Sequence, residues 1–184
     1  MIAFLKKINR YFVYGAAGVA LTFSFLYEIL RITAATAYSS GISFGALLTL
    51  VLIFSVVIGS FLTKILVFIF YRIDSAIFLR RCGLLFPFPI GFTDFECTAF
   101  AYLIPYFLLG GLLSIPVLFV PGLSFLFGAI RTVLFWGDIA LIIKHFLKYY
   151  SSDYDKRTLA FSLIIIPICL AAFSAGAALF EVIR

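Results

Sequence analysis

The side chains best able to do chemistry in this sequence lie in one apolar stretch, residues 131–148 (RTVLFWGDIALIIKHFLK). Arg131, Asp138 and His145 recur in this stretch at intervals of seven residues. Because an α-helix has about 3.6 residues per turn, all three side chains project from one helix face. A charge without a partner costs roughly 2.5 kcal/mol or more at the centre of a bilayer. We therefore expect this face to contact other helices, water or a partner subunit, and not lipid.

The same spacing argues against a catalytic site. Seven residues of helix rise about 10.5 Å, too far for Asp138 to hydrogen-bond directly to Arg131 or His145. No Ser, Cys or second carboxylate is placed by its spacing to complete a catalytic set. The polar face is therefore predicted to be a structural cluster or a subunit contact, with an ion or proton path as the alternative. The chain is predicted not to be an enzyme.

Asp94 and Glu96 form a second candidate site, as either a metal-binding pair or a helix cap. They follow a break rich in Pro and Gly at residues 87–91, where a new helix is expected to begin. Acidic side chains are favoured at a helix N-terminus, so capping is the preferred interpretation. The three cysteines are widely spaced and form no Cys-x-x-Cys motif, so we expect no metal and no cofactor.

The composition indicates an integral membrane protein. Of its 184 residues 65% are hydrophobic and 12% are charged, and the mean hydropathy is +1.21. Soluble domains carry about 25% charged residues. The net charge of +6 comes from basic residues at the ends of apolar runs, a pattern that reports membrane orientation and not nucleic-acid binding. The predicted fold is an all-α, polytopic integral membrane helix bundle.

About five membrane-spanning helices are predicted within a single transmembrane domain, residues 1–184. Their approximate ranges are 11–30, 43–70, 96–120, 124–147 and 158–182. Residues 31–42 are predicted to be a small polar loop, and residues 71–95 a cytoplasmic segment that is either an interfacial helix or an extension of the second span. Pro121-Gly122 is predicted to be a tight turn that makes the third and fourth spans an antiparallel hairpin.

The basic residues predict the orientation of these spans. With five spans, eleven Lys and Arg residues fall on the side of the N-terminus and three fall on or near the other side. Lys and Arg are in excess on the cytoplasmic side of membrane proteins. The N-terminus is therefore predicted to be inside the cell and the C-terminus outside.

Residues 92–170 resemble the Yip family (Ypt-interacting proteins) and its prokaryotic relatives. The local likeness is the segment FTDFECTAFAYLIPY, in which Phe95, Thr98, Tyr102 and Pro105 are similar to the family's spacing. A span with a tryptophan, the polar loop SSDYDKRTL and a last span with a proline are also similar. The resemblance implies five spans, an inside N-terminus and a prokaryotic plasma membrane. The resemblance does not extend to GTPase binding or vesicle traffic, because the Asp-Leu-Tyr-Gly-Pro motif of eukaryotic members does not occur in this sequence.

Helix–helix association in membranes requires small residues and polar side chains. The first and last spans have small-residue stretches, and the fourth span has a polar face. We therefore expect a non-enzymatic scaffold or accessory subunit of a membrane complex. Its partners would be the lipid bilayer and other membrane subunits or copies of itself. The alternative is a channel or transporter component with a polar path along Arg131, Asp138 and His145.

Overall fold

The computed structural model describes residues 2–82, 88–150 and 156–183, and of residues 121, 170 and 172–183 it describes the backbone alone. All regular structure within these ranges is helical, as predicted. In chain order the helices are α1 (Ile2–Leu5), α2 (Arg10–Ser24), α3 (Leu26–Ser40), α4 (Phe44–Arg81), α5 (Phe92–Phe119), α6 (Ser124–Tyr150) and α7 (Lys156–Ile183).

Three of the described helices, α4, α5 and α6, are long and apolar enough to cross a membrane. The consecutive helices α2 and α3 pass the same criterion only as a pair, and they are bent by 67° at their junction. The described residues therefore contain three candidate spans, or four if the bent pair is one span. The predicted fifth span, residues 158–182, lies within α7, and the side chains of about half of it, residues 170 and 172–182, are outside the described part of the chain.

The prediction of a loop over residues 31–42 was wrong for most of its length. A new helix, α3, begins at Leu26 and continues to Ser40, and the loop is confined to residues 41–43. The polar side chains fit inside this helix because their hydroxyls bond to its own carbonyls. Ser40 Oγ, for example, donates to the Thr36 carbonyl oxygen over 2.7 Å. Gly41 ends the helix with a φ of +70°, a left-handed conformation that glycine adopts without steric cost.

Helix α4 contains 38 residues, which correspond to about 57 Å of helix against a hydrocarbon core of about 30 Å. It must therefore tilt or extend beyond the membrane. Residues 71–81, placed in the predicted cytoplasmic segment, continue α4 without a break, in agreement with the alternative of an extended second span. On this extension Ile73, Ala76 and Arg80 are exposed, whereas Asp74 and Phe78 are buried.

Helices α5 and α6 form an antiparallel hairpin, in agreement with the turn predicted at Pro121-Gly122. A 3-10 turn over Pro121–Leu123 separates them. The rings of Phe95 and Phe146 stack with centroids 5.3 Å apart, and those of Tyr106 and Phe135 lie 5.7 Å apart. Residues near the start of α5 thus contact residues near the end of α6, which shows that the two helices are antiparallel.

Close packing of α2 on α4 depends on small residues, as predicted for the first span. Ala17 and Ala20 are buried, and Gly18 meets the backbone of α4 directly. A Cβ atom at Gly18 would lie 2.8 Å from the Ser60 nitrogen and 2.5 Å from the Val56 carbonyl oxygen. Only a glycine at position 18 allows the two helices to approach this closely.

Candidate functional site

The Arg131 guanidinium lies at the junction between α2 and α3. Its Nη2 donates a hydrogen bond of 3.0 Å to the Oγ of Ser24, the last residue of α2, and its central carbon is 5.4 Å from the centroid of the Phe25 ring. Gly110 of α5 leaves the space for this contact, since a Cβ there would lie 2.7 Å from Ser24 Oγ and 3.4 Å from Arg131 Nε. Arg131 therefore connects α6 to the α2–α3 junction and is already partnered within the chain.

Tyr106 of α5 interacts electrostatically with the first two members of the predicted polar face, Arg131 and Asp138. Its hydroxyl lies beside the Arg131 guanidinium and close enough to Asp138 for an electrostatic interaction. Its ring packs against Phe135 of α6. Arg131 and Asp138 thus approach the same tyrosine without forming an ion pair with each other.

Asp138 is only partly covered by the chain. The carboxylate is half-buried, and in the described part of the molecule it forms no hydrogen bond or ion pair. Phe146 is the one residue of α6 that is fully buried among those whose side chains are described. Most of this helix, including the surroundings of Asp138, therefore remains accessible to something outside the chain.

His145 has an aromatic environment and no contact with Asp138. The centroid of its ring lies 4.6 Å from that of Tyr149 and 6.2 Å from that of Tyr102. Arg131, Asp138 and His145 therefore share one face of α6, as the spacing predicts, but each has separate surroundings. The described geometry contains no Asp–His dyad and no continuous hydrogen-bonded chain through these three residues.

Asp94 and Glu96 do not cap α5, which corrects the interpretation preferred from the sequence. The N-cap is Gly91, and no described side chain bonds to the free amides of the first turn. Asp94 instead pairs with Lys6, and the buried Glu96 accepts a hydrogen bond from the Tyr14 hydroxyl. Asp94 still lies in the first helical turn, where the helix dipole favours a negative charge.

These contacts extend into an ionic cluster that joins the N-terminal segment to the start of α5. Arg10 Nε lies 3.9 Å from Glu96 Oε2, and Arg10 Nη2 donates a 2.7 Å hydrogen bond to the Thr93 hydroxyl. The Lys64 ammonium of α4 lies 5.3 Å from the centroid of the Tyr14 ring. The hydrogen bond to Asp94 is the main cause of a raised pKa for Lys6. The only buried acid of this cluster, Glu96, is thus compensated by two partners.

Asp74 is a buried carboxylate that sequence reasoning did not single out. It is 4% exposed, and its Oδ1 has no hydrogen-bond partner. A signal was available, because Thr63, Val67, Asp74 and Phe78 follow one another at intervals of four, seven and four residues, which is one helix face. All four are buried. The face on which Asp74 stands is therefore the packed face of α4.

The pentapeptide GISFG, residues 41–45, has the G-x-S-x-G form of a nucleophile elbow, so the expectation that this motif does not occur in the sequence is wrong. In α/β-hydrolases that motif turns a β-strand into a helix. Here it joins α3 to α4, and Ser43 precedes the first residue of α4 without making a side-chain capping bond. The motif thus lacks the structural context that would make Ser43 a nucleophile.

Within the described residues, no group of three or more His, Cys, Asp and Glu side chains is close enough together to hold a metal ion. The described fold is helical and contains three or four candidate membrane spans. Ionic side chains are paired at contacts between its helices, and the Asp138 carboxylate on α6 is partly exposed. Comparisons with protein-family models, with curated proteins and with solved structures give no match to this chain.

Proposed function

We propose that this chain is a non-enzymatic scaffold or accessory subunit that binds another membrane helix through the Asp138 face of α6. The observation that carries the proposal is the half-buried Asp138 carboxylate, which has no bonded partner in the described part of the chain. At membrane depth such a group is expensive unless a donor is supplied. Polar side chains that bond across helices are a common means of association in membranes.

Arg131, the cation seven residues before Asp138 on the same helix face, is not available to neutralise this carboxylate. Arg131 already donates to Ser24 and lies against the Phe25 ring. The missing donor would therefore come from a second polypeptide, with a Lys, Arg, hydroxyl or amide side chain on a transmembrane helix. That helix belongs either to a second copy of this chain or to another subunit.

The proposal includes the topology predicted from the sequence: five spans, an inside N-terminus and an outside C-terminus, as the Yip resemblance also implies. The ionic cluster supports it. Lys6 and Arg10 at the N-terminus contact residues 93–96 at the start of α5, and Tyr150 at the end of α6 interacts electrostatically with Asp94. The N-terminal segment, the start of α5 and the end of α6 thus lie at one end of the bundle. The excess of Lys and Arg on the cytoplasmic side of membrane proteins predicts that this end is in the cytoplasm.

Photo-crosslinking in intact membranes tests the contact. A photoreactive amino acid at Leu141, which is 49% exposed and one turn from Asp138, is expected to give a discrete adduct. The adduct should persist in Asp138→Asn, which keeps hydrogen bonding, and disappear in Asp138→Leu. The same probe at Val57 of α4, 62% exposed, is the control for contacts with lipid and passing proteins. A Leu141 adduct that is absent, or unchanged in Asp138→Leu, would exclude this proposal.

A transport role is the second candidate, and it is favoured by the electrostatic interaction of Tyr106 of α5 with both Arg131 and Asp138 of α6, which adds a third polar side chain to this face. Under this hypothesis Asp138→Asn abolishes ion or proton flux while the protein remains folded and abundant. Under the scaffold hypothesis the unmodified protein and the Asp138→Asn variant both give the same flux as empty vesicles. Flux measured in reconstituted vesicles separates the two.

A further inference from the structure

A groove of about 450 Å³ runs along the contact between α6 and α7. Its lining includes Trp136, Ala140, Ile143 and Lys144 of α6, with Ile164 and Pro167 of α7. Among the described residues of the lining Lys144 is the only charged one, and the others have aliphatic or aromatic side chains. The groove therefore offers a long apolar surface with one cation.

This groove is separate from the Asp138 face. Ala140 and Asp138 are two residues apart, so they point about 160° away from each other around the axis of α6. A helix bound at Asp138 would leave the groove free. The binding site inferred from the groove therefore does not depend on the helix contact proposed above; only the leaflet of the lipid rests on the proposed topology.

The length of the groove corresponds to one leaflet of a membrane. From Trp136 to Leu147 the helix rises about 16 Å, and half of a hydrocarbon core is about 15 Å. Lys144 lies near the Leu147 end, within a few residues of the end of α6 at Tyr150. The cation is therefore placed near the depth of lipid headgroups, and the apolar lining continues from it toward the bilayer centre.

Lys144 is exposed, and it forms no ion pair or hydrogen bond with any described residue. The next basic residue, Lys148, is in a different situation, since its ammonium lies 5.2 Å from the centroid of the Tyr149 ring and it does not line the groove. An unpaired cation at one end of a hydrocarbon-lined groove is complementary to a molecule with an anionic head and an apolar chain.

We propose that this groove is a binding site for an anionic phospholipid, with one acyl chain along the α6–α7 contact and the phosphate at Lys144. The apolar lining matches an acyl chain, which has no polar group to satisfy along its length. The Lys144 ammonium matches the phosphate, and a basic side chain near an anionic lipid surface attracts it electrostatically. On the proposed topology the lipid belongs to the cytoplasmic leaflet.

Trp136 provides the measurement, because it is the only tryptophan of the chain and lines the groove. The full-length protein is reconstituted in phosphatidylcholine vesicles with increasing fractions of phosphatidylglycerol whose acyl chains are brominated, since bromine quenches indole fluorescence on contact. Brominated phosphatidylcholine in otherwise identical vesicles is the zwitterionic control. Half-maximal quenching is expected at a several-fold lower fraction of the anionic lipid.

Lys144→Gln should raise the fraction of brominated phosphatidylglycerol for half-maximal quenching about fivefold, the equivalent of roughly 1 kcal/mol for one basic side chain near an anionic surface. It should leave quenching by brominated phosphatidylcholine unchanged, which shows at the same time that the variant is folded. Lys148→Gln is the matched control, because it removes an equal charge one turn away, and it should behave like the unmodified protein.

Ala140→Phe keeps Lys144 and fills the groove, so it should reduce quenching by both lipids. Equal quenching by the two headgroups in the unmodified protein would overturn the proposal, because it would mean ordinary contact with bulk lipid. An equal effect of Lys144→Gln and Lys148→Gln would also overturn it, since it would mean a general surface potential. Unchanged quenching in Ala140→Phe would show that the acyl chain lies elsewhere.

Discussion

Arg131 Nη2 donates a hydrogen bond to Ser24 Oγ over 3.0 Å, across 107 residues of sequence and at the residue where α2 ends. Ser24 is 1% exposed, so the contact excludes water on the serine side. The bend of 67° between α2 and α3 thus coincides with a charged side chain from α6. A helix break in a membrane leaves backbone groups without their usual partners, and neighbouring side chains stabilise such breaks.

The first prediction concerns this contact. Ser24→Ala leaves the guanidinium without its acceptor and should lower the free energy of unfolding by about 1.5–3 kcal/mol, as for hydrogen bonds to charged groups. Gly110→Ala should also destabilise, because its Cβ would lie 2.7 Å from Ser24 Oγ. Thermal unfolding in mild detergent measures both. Gly128→Ala on α6, where a Cβ meets nothing within 4 Å, is the control and should be neutral or stabilising.

The second prediction concerns the α2–α4 contact. Gly18→Ala should force the helices apart, since a Cβ there would lie 2.5 Å from the Val56 carbonyl oxygen. Gly15→Ala, on the same helix, meets nothing within 4 Å and should stabilise by about 0.5–1 kcal/mol through helix propensity. Opposite shifts in melting temperature are expected. Equal shifts for the two variants would contradict the close approach at position 18.

The third prediction concerns the compensation of Glu96. Glu96→Leu removes the acceptor of the Tyr14 hydroxyl and the negative charge near Arg10, and should cost about 2 kcal/mol or more. Glu96→Gln keeps an acceptor and should cost less. The exposed pair of Glu28 and Arg31 is the control, because such surface pairs contribute about 0–1 kcal/mol. Unfolding of Glu96→Leu and Glu28→Leu with similar midpoints would contradict the importance of the ionic cluster.

The fourth prediction concerns Asp74. A buried polar group without a hydrogen bond costs about 1–3 kcal/mol, and the Asp74 carboxylate is 4% exposed with an unbonded Oδ1. Asp74→Leu should therefore leave stability unchanged or raise it, in contrast to Glu96→Leu. Thermal unfolding of the two variants side by side tests this. A loss of several degrees for Asp74→Leu would mean that the carboxylate makes a favourable contact.

The fifth prediction concerns orientation. Single cysteines at Ser75 and Ser152, with the native cysteines replaced, should be protected from an impermeant thiol reagent in intact cells and react after permeabilisation. The eleven-to-three asymmetry of basic residues predicts that both positions lie on the cytoplasmic side. A cysteine at Tyr38, which is 94% exposed near the end of α3, should show the opposite pattern. Labelling at position 75 or 152 in intact cells would contradict the proposed topology.

The ranges of α5 and α6 follow the sequence closely because proline, glycine and charge mark their ends. The turn at Pro121–Leu123 is a local property, and it was predictable. The junction at Phe25 was not predictable, since no proline or glycine occurs there and the bend coincides with a hydrogen bond from a residue more than a hundred positions away. The same limit applies to residues 31–40, whose hydroxyls suggest a loop but bond to the helix's own carbonyls.

The sequence by itself indicated that this is an apolar, helical protein suited to a membrane and that Arg131, Asp138 and His145 share one helix face. These follow from hydropathy and from the helical repeat, which are local quantities. Only the tertiary structure decided that Arg131 bonds to Ser24, that Asp94 and Glu96 pair with the N-terminal segment, and that Asp74 is buried. The physical reason is that lipid and protein interior are both apolar, so hydropathy does not tell which helix face meets another helix.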